Sequence, residues 1–281
     1  MKFDKYIINL KKKNFHKDKE EIYNSFSKNI NDINTHFIFF GKKNIGKYSQ
    51  SLLFVNKYSK NELNYKKKIQ IDNSKLIYNI HLSDVHYEID FEYLTHNSKT
   101  VWFTIYETIL QSALTEKNKK FIICKNFHKI SQELLSIFYN TLNINNKFIF
   151  ILLCENICFF PKNLIDRCNI IRFTSVEKNK TIIKKDQLLS YHNKNILELI
   201  KSDNINYQKL RDLIYDMFIK QYCIYDLIWY LIKELNITNI KTLENINSCC
   251  KLYNNNYRPI YHIERLLLLI RQELTNTNKL I

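Results

Sequence analysis

Phe37-Ile38-Phe39-Phe40-Gly41-Lys42-Lys43-Asn44-Ile45-Gly46-Lys47-Tyr48-Ser49 is the stretch on which the fold turns. An apolar run, then Gly-x-x-x-x-Gly-Lys, then Tyr48, Leu52 and Val55 on one face predict strand, loop and helix. That succession is the form of a phosphate-binding loop, whose backbone N–H groups wrap anion oxygens at a helix N-terminus. Glycine suits the places where the chain turns sharply and its backbone approaches the anion. Lys47 would reach the terminal phosphates. The chain has 2 glycines in 281 residues, where ordinary usage would give about 20. Both stand at the motif positions, so the match is more than an incidental turn.

The motif departs from pattern at its last place. Tyr48 stands where Ser or Thr would put a short hydroxyl on Mg²⁺. A phenol at the end of a ring cannot make that contact, and Ser49 lies one residue further round the helix. Gly41, Lys42, Lys43, Asn44, Ile45, Gly46, Lys47, Tyr48 and Ser49 are therefore candidates for nucleotide binding more than for metal-assisted chemistry.

A chain of 281 residues suits about two domains. Hydrophobic content of 45% with 14% aromatics excludes wholesale disorder. The longest apolar run, Phe148 to Cys154, is ended by Glu155 and is too short to span a membrane. Met1-Lys2-Phe3-Asp4-Lys5 lacks the apolar core of a signal peptide, and an intracellular protein is expected. The 7 cysteines include no Cys-x-x-Cys pair, so buried thiols are expected and a zinc site is not. The net charge of +16 suits an anionic partner. An AT-rich coding composition explains part of the lysine excess equally well. Lys11 to Lys13, Lys66 to Lys68 and Lys117 to Lys120 are read as solvated loops.

Along the chain, an amphipathic helix is expected near Lys17 to Ser25. Ile69 and Ile71 alternate into Leu76, Tyr78, Ile80 and Leu82 around Asp72-Asn73-Ser74, which reads as a hairpin. His86 to Asp90 reads as a short strand. Asn97 or Ser98 can cap a helix through Val101, Ile105 and Ile109. Phe121 to Cys124 is a buried strand, Ser131 caps the next helix, and Phe148 to Cys154 is another buried strand. Pro161, a short helix to Arg167 and a strand from Ile170 to Phe173 follow. Alternating strands and helices predict an α/β unit, a parallel sheet with helices on both faces. Beyond Thr174 the period becomes helical throughout, in segments near 196–200, 210–218, 224–235, 243–252 and 260–274.

Four separated stretches resemble one family. They are the phosphate loop, His86-Tyr87-Glu88-Ile89-Asp90, Phe121 to Leu135, and Phe148 to Phe173 with Asp166-Arg167-Cys168. In order and spacing they resemble the AAA+ clamp-loader small subunits, replication factor C small subunits and the bacterial DNA polymerase III delta-prime subunit. The forms most similar are divergent ones of large DNA viruses. The resemblance covers residues 30–174, and the helical end by layout alone. It implies an AAA+ P-loop domain over 1–174, a reduced lid or linker over 175–205, and an all-α collar-like oligomerisation domain over 206–281. It implies ATP or ADP as ligand, and other clamp-loader subunits, a sliding clamp and primer–template DNA as partners. The compartment would be nucleus, cytoplasm or a viral replication compartment.

The family's Asp-Glu pair after the third strand holds Mg²⁺ and polarises water. Counting back from Ser131 puts Lys125 and Asn126 at those positions. Neither carries a carboxylate, and a cation beside Mg²⁺ would repel it. With Tyr48, both metal-binding positions are lost together, so the chain's own site is expected to be ATPase-deficient within an ATP-hydrolysing complex. Arg167 matches the family's arginine finger, which serves the neighbouring subunit's nucleotide in trans. His86, Glu88 and Asp90 share a strand face and are read as a polar loop edge near the nucleotide, not a metal site. His128 is read as surface, and Tyr222, Tyr225 and Tyr230 as collar packing or interface. Two other readings are weighed. An independent P-loop NTPase or phosphotransferase is disfavoured by the missing carboxylates and the helical tail. A scaffold that binds no nucleotide is disfavoured by the retained glycines.

Overall fold

Strict alternation in the central strands builds the first unit. The computed structural model describes residues 3–64, 66–73, 76–94, 98–114, 116–144, 146–174, 180–202, 204–220, 222–255 and 258–278. The strands are β1 (His36–Phe40), β2 (Lys67–Asn73), β3 (Leu76–Leu82), β4 (His86–Asp90), β5 (Lys120–Lys125), β6 (Phe148–Cys154) and β7 (Cys168–Arg172). They form one seven-stranded sheet in the order β2-β3-β4-β5-β6-β1-β7. From β4 to β7 every pairing is parallel, while β2 and β3 are an antiparallel hairpin joined antiparallel to β4. The expected α/β layout is present, and the sheet is mixed because the expected hairpin extends it at one edge.

Because strand side chains alternate with period two, each central strand feeds two cores. Ile38, Ile122, Cys124, Phe150 and Leu152 join one core with α4 (Ser98–Leu114) and α5 (Gln132–Ile144), where Trp102 and Phe138 are fully buried. Phe37, Phe39, Phe121, Ile123, Ile149 and Ile151 join the other core. That face is covered by α1 (Phe3–Lys12), α2 (Asp18–Ser25) and α3 (Lys47–Asn56), which contribute Phe3, Ile7, Tyr23, Leu52 and Phe54. The short helix α6 (Lys162–Ile165) precedes β7. Ser131 Oγ accepts the Leu134 N–H at 3.3 Å, the expected cap of α5. Asn97 lies outside the described residues, and Ser98 is the first residue of α4.

None of the three lysine runs is wholly a loop. Lys11 and Lys12 close the last turn of α1, where cations favour the helix dipole. Lys67 and Lys68 open β2, and Lys120 opens β5 with its side chain buried against Glu116 at 2.5 Å. Their sequence reading failed because flanking polar residues hid the ends of the regular elements.

The chain divides into compact units at 1–176 and 177–281. The second unit is helical: α7 (Lys180–Lys201), α8 (Tyr207–Ile219), α9 (Ile224–Glu234), α10 (Ile240–Asn255) and α11 (Pro259–Asn278). The segment 175–205, expected as lid or linker, carries α7, which packs on α8, α9 and α11. Helical spacing brings Ile196, Ile214, Leu227, Leu231, Ile263 and Leu267 into its core. Arg211 grips Glu264 through both Nε (2.5 Å) and Nη2 (3.0 Å), fixing α8 to α11. Tyr222 packs on His192 and Tyr225 on Tyr253, so these tyrosines serve packing inside the unit. No helix among the described residues is long and apolar enough to cross a membrane.

Candidate functional site at the carboxyl end of the sheet

The loop begins where β1 leaves the sheet. The Gly41 N–H bonds the Cys154 carbonyl at 3.2 Å, and a Cβ on Gly41 would meet the Phe173 carbonyl oxygen at 2.7 Å. Glycine is needed there to let the ends of β1 and β7 lie together, a reason the sequence alone did not supply. Gly46 has φ +96°, the left-handed region that glycine enters without strain, and it starts α3. Lys47 folds back over the loop, and its Nζ donates to the carbonyls of Gly41 and Lys42, each at 2.6 Å. Burial pushes its pKa down, against the pull of Glu155.

A segment upstream of β1 braces the loop from behind. His16, buried, donates Nε2–H to the Ile45 carbonyl at 2.9 Å and packs edge-on to Phe173. Gln50 of α3 donates to Asn14 Oδ1 at 2.7 Å and accepts from the Tyr23 hydroxyl at 3.2 Å. These partners lie about thirty residues from the loop in sequence, and no local pattern marks them.

The degenerate positions are joined to one another. The Tyr48 hydroxyl donates to Glu88 Oε1 at 2.6 Å, and Lys125 Nζ donates to Glu88 Oε2 at 2.9 Å. The Lys125 ammonium also lies 4.0 Å from the centre of the Tyr48 ring, which meets the Tyr6 ring in an edge-to-face contact with centroids 5.1 Å apart. Glu88 is 3% exposed. Burial alone would push its carboxyl up, but His86, Lys125 and Tyr48 outweigh that and hold it down to about 2. Burial, and then the Glu88 charge, push the Tyr48 phenol well above its usual range. His86 lies beside Glu88, with Nε2 at 3.6 Å from Oε1. Ser83 Oγ accepts the N–H groups of Val85 and His86 and lies 2.5 Å from His86 Nδ1. Its own proton is the one left for Nδ1, which directs Nε2–H toward Glu88.

His86 and Glu88 therefore correct the expectation of a polar loop edge. They are buried in the sheet, because Tyr48 and Lys125 supply the partners that a buried carboxylate requires. Asn126, with φ +50°, turns away and donates to Asp90 at 2.9 Å and Glu92 at 3.3 Å. His128 is half-buried and not a surface residue; Nε2 faces Glu155 at 4.0 Å, and burial pushes its pKa down. Sequence reasoning missed His16 and Glu155. Among the described residues, no group of three His, Cys, Asp or Glu side chains could hold a metal ion.

Arg167 lies at the other edge of the sheet. Its carbonyl accepts the His36 N–H at 3.3 Å, at the amino ends of β1 and β7. The length of β1 puts it roughly 16 Å from the loop. The guanidinium lies 5.6 Å from the centre of the Tyr139 ring. It borders a polar cleft of about 210 Å³ with Asn34, His36, Lys119, Asn146 and Asp166. His36 Nδ1 accepts the Phe150 N–H at 3.2 Å; burial and then Arg167 lower its pKa to about 4.

Fold and site define an α/β unit with a glycine-lysine loop at the carboxyl ends of parallel strands, followed by a helical unit. No family model matches the chain, and no curated protein does. Solved structures that resemble it include PCH-2 of C. elegans (11% identity, 90% of this chain and 65% of that one, TM-score 0.35). A second is the HORMA:CdnC:Trip13 complex of E. coli MS115-1 (8%, 75% and 66%, TM-score 0.36). A third is a DNA polymerase III gamma subunit-related protein of Thermotoga maritima (11%, 90% and 98%, TM-score 0.32). The chain thus spans just under two thirds of the first two.

Chemically, the loop can hold an anion with backbone N–H groups, the α3 dipole and Lys47. Magnesium does not fit the positions the family resemblance assigns to it. The Tyr48 oxygen is spent on Glu88, and Lys125 places an ammonium where a carboxylate would be needed.

Proposed function

We propose that this chain is a clamp-loader-type AAA+ subunit that holds ATP or ADP in its loop without hydrolysing it and offers Arg167 to the nucleotide of a neighbouring subunit. The observation that carries this reading is the Tyr48–Glu88–Lys125 network, which fills the metal positions beside an intact glycine-lysine loop. Arg167 supports it by its place, at the amino ends of β1 and β7, away from the chain's own loop. The helical unit exposes Ile219, Trp229 and Ile240, apolar surface suited to packing against neighbouring subunits. The charge of +16 suits primer–template DNA beneath such an assembly, and the sliding clamp would be its substrate.

The test is the complex purified from its native source with its AAA+ partners. Arg167→Ala in this chain is expected to lower the DNA-stimulated ATPase of the complex at least about tenfold at the site it faces. Lys47→Ala is expected to leave that turnover largely intact. Turnover by the isolated chain with Mg²⁺ would refute the proposal in favour of an independent P-loop NTPase or phosphotransferase.

A further inference from the structure

We propose that the Lys125 ammonium, moored on Glu88 beside Tyr48, takes the place of the divalent cation at the loop, so that the chain binds a nucleoside di- or triphosphate as the free anion and not as its magnesium complex. This rests on the reading that the loop holds nucleotide phosphates, and it adds which ionic form is bound and what balances its charge.

Position is the first argument. β5, β6 and β1 run parallel, with Cys124 level with Leu152 and Leu152 level with Ile38. Lys125 therefore ends its strand on the same edge as the loop, two strand spacings (about 10 Å) from β1. A lysine side chain and the Tyr48 ring bridge that gap, which the 4.0 Å contact between ammonium and ring records. The ammonium thus lies against the second residue of α3, beside the turn that would cradle phosphate.

Availability is the second. The Lys125 side chain is 27% exposed while that of Glu88 is 2% exposed, so the charge that reaches solvent at this place is the positive one. An ammonium has three donor protons, and Glu88 accepts from it at a single oxygen. Protons remain for a phosphate oxygen without breaking the mooring. The Glu88 carboxylate fixes the lysine in place.

Exclusion is the third. A magnesium ion needs near-octahedral oxygen ligands at close range. The phenol oxygen is directed into Glu88, both Glu88 oxygens are engaged, and an ammonium stands beside them. Lys42, Lys43, Lys47 and Lys125 already bring cationic charge to a triphosphate, so a divalent ion would add repulsion at Lys125 more than attraction. The other carboxylates at this end of the sheet among the described residues are also engaged: Asp90 and Glu92 accept from Asn126, and Glu155 lies near Lys47 and His128.

The experiment is calorimetric titration of the full chain with ATP and with ADP, once in excess EDTA and once in excess Mg²⁺. Wild type is expected to bind in EDTA at least as tightly as in Mg²⁺. Lys125→Met should lose about tenfold or more in EDTA, and Lys125→Arg should retain most of the affinity. Lys47→Met should lose binding in both media. Binding that requires Mg²⁺ would overturn the inference while leaving the nucleotide reading standing. A Lys125→Met chain that binds as wild type in EDTA would also overturn it. No binding by wild type in either medium would overturn the nucleotide reading itself, and the inference with it. The wild-type comparison decides the matter even where a variant fails to fold.

Discussion

Replacing Glu88 with glutamine keeps the shape of the side chain and removes its charge. In the wild type the buried carboxylate receives Tyr48 Oη at 2.6 Å and Lys125 Nζ at 2.9 Å. Its folded pKa is about 2 against an ordinary 4.5. A carboxyl displaced that far contributes about 3 kcal/mol, fully present above pH 4.5 and lost as pH falls toward 2. The same size follows from mutational experience, because leaving a charge-assisted buried pair with one partner costs about 3–5 kcal/mol. Lys125 can regain water through its exposed end, which pulls the expectation to the lower figure. Urea denaturation of wild type and Glu88→Gln at pH 7 should therefore differ by about 3 kcal/mol. The gap should narrow steadily along the acid limb below pH 4.5, since the wild type then protonates the group the variant lacks. A difference under about 0.5 kcal/mol at pH 7, or one of constant size down the acid limb, would refute the network as described.

The two glycines should fail in different ways. Gly41→Ala puts a methyl 2.7 Å from the Phe173 carbonyl oxygen and should cost about 2–3 kcal/mol of stability by chemical denaturation. Gly46→Ala meets no atom within 4 Å but keeps φ +96°, and should cost about 1–2 kcal/mol with a larger proportional loss of nucleotide affinity in titration. His36, lowered to about 4 from 6.5, is held neutral in the fold. Its contribution is present above pH 6.5 and lost as pH falls toward 4, about 2 kcal/mol after allowing for partial exposure. His36→Gln should flatten stability against pH across that interval.

The layout of the first unit was readable because each central strand is an apolar run with a buried face on either side. Phe121 to Cys124 and Phe148 to Cys154 are of this kind, and both are buried throughout. The five C-terminal helical segments were readable from their period, although all but α9 extend beyond the apolar residues that marked them. The first helix, α1, was missed because its inward stripe of Phe3, Tyr6 and Ile7 is short and its end is a lysine run. At the site, the loop was legible as a local motif. The Tyr48–Glu88–Lys125 network was not, since its partners are 40 and 37 residues apart and the pattern marks each only as a departure. One signal was present: a tyrosine and a lysine replacing metal-binding positions together, with a glutamate on the strand between them. The role of His16 had no signal, because a single histidine before a helix carries no spacing.

The bond from His16 to the Ile45 carbonyl has a practical bearing on how the motif can be handled. A fragment cut to begin at β1 would include every residue by which a glycine-lysine loop is recognised. It would leave behind the bracket that turns one of the loop's carbonyls rearward, so the motif cannot be transplanted as the contiguous piece its spelling suggests.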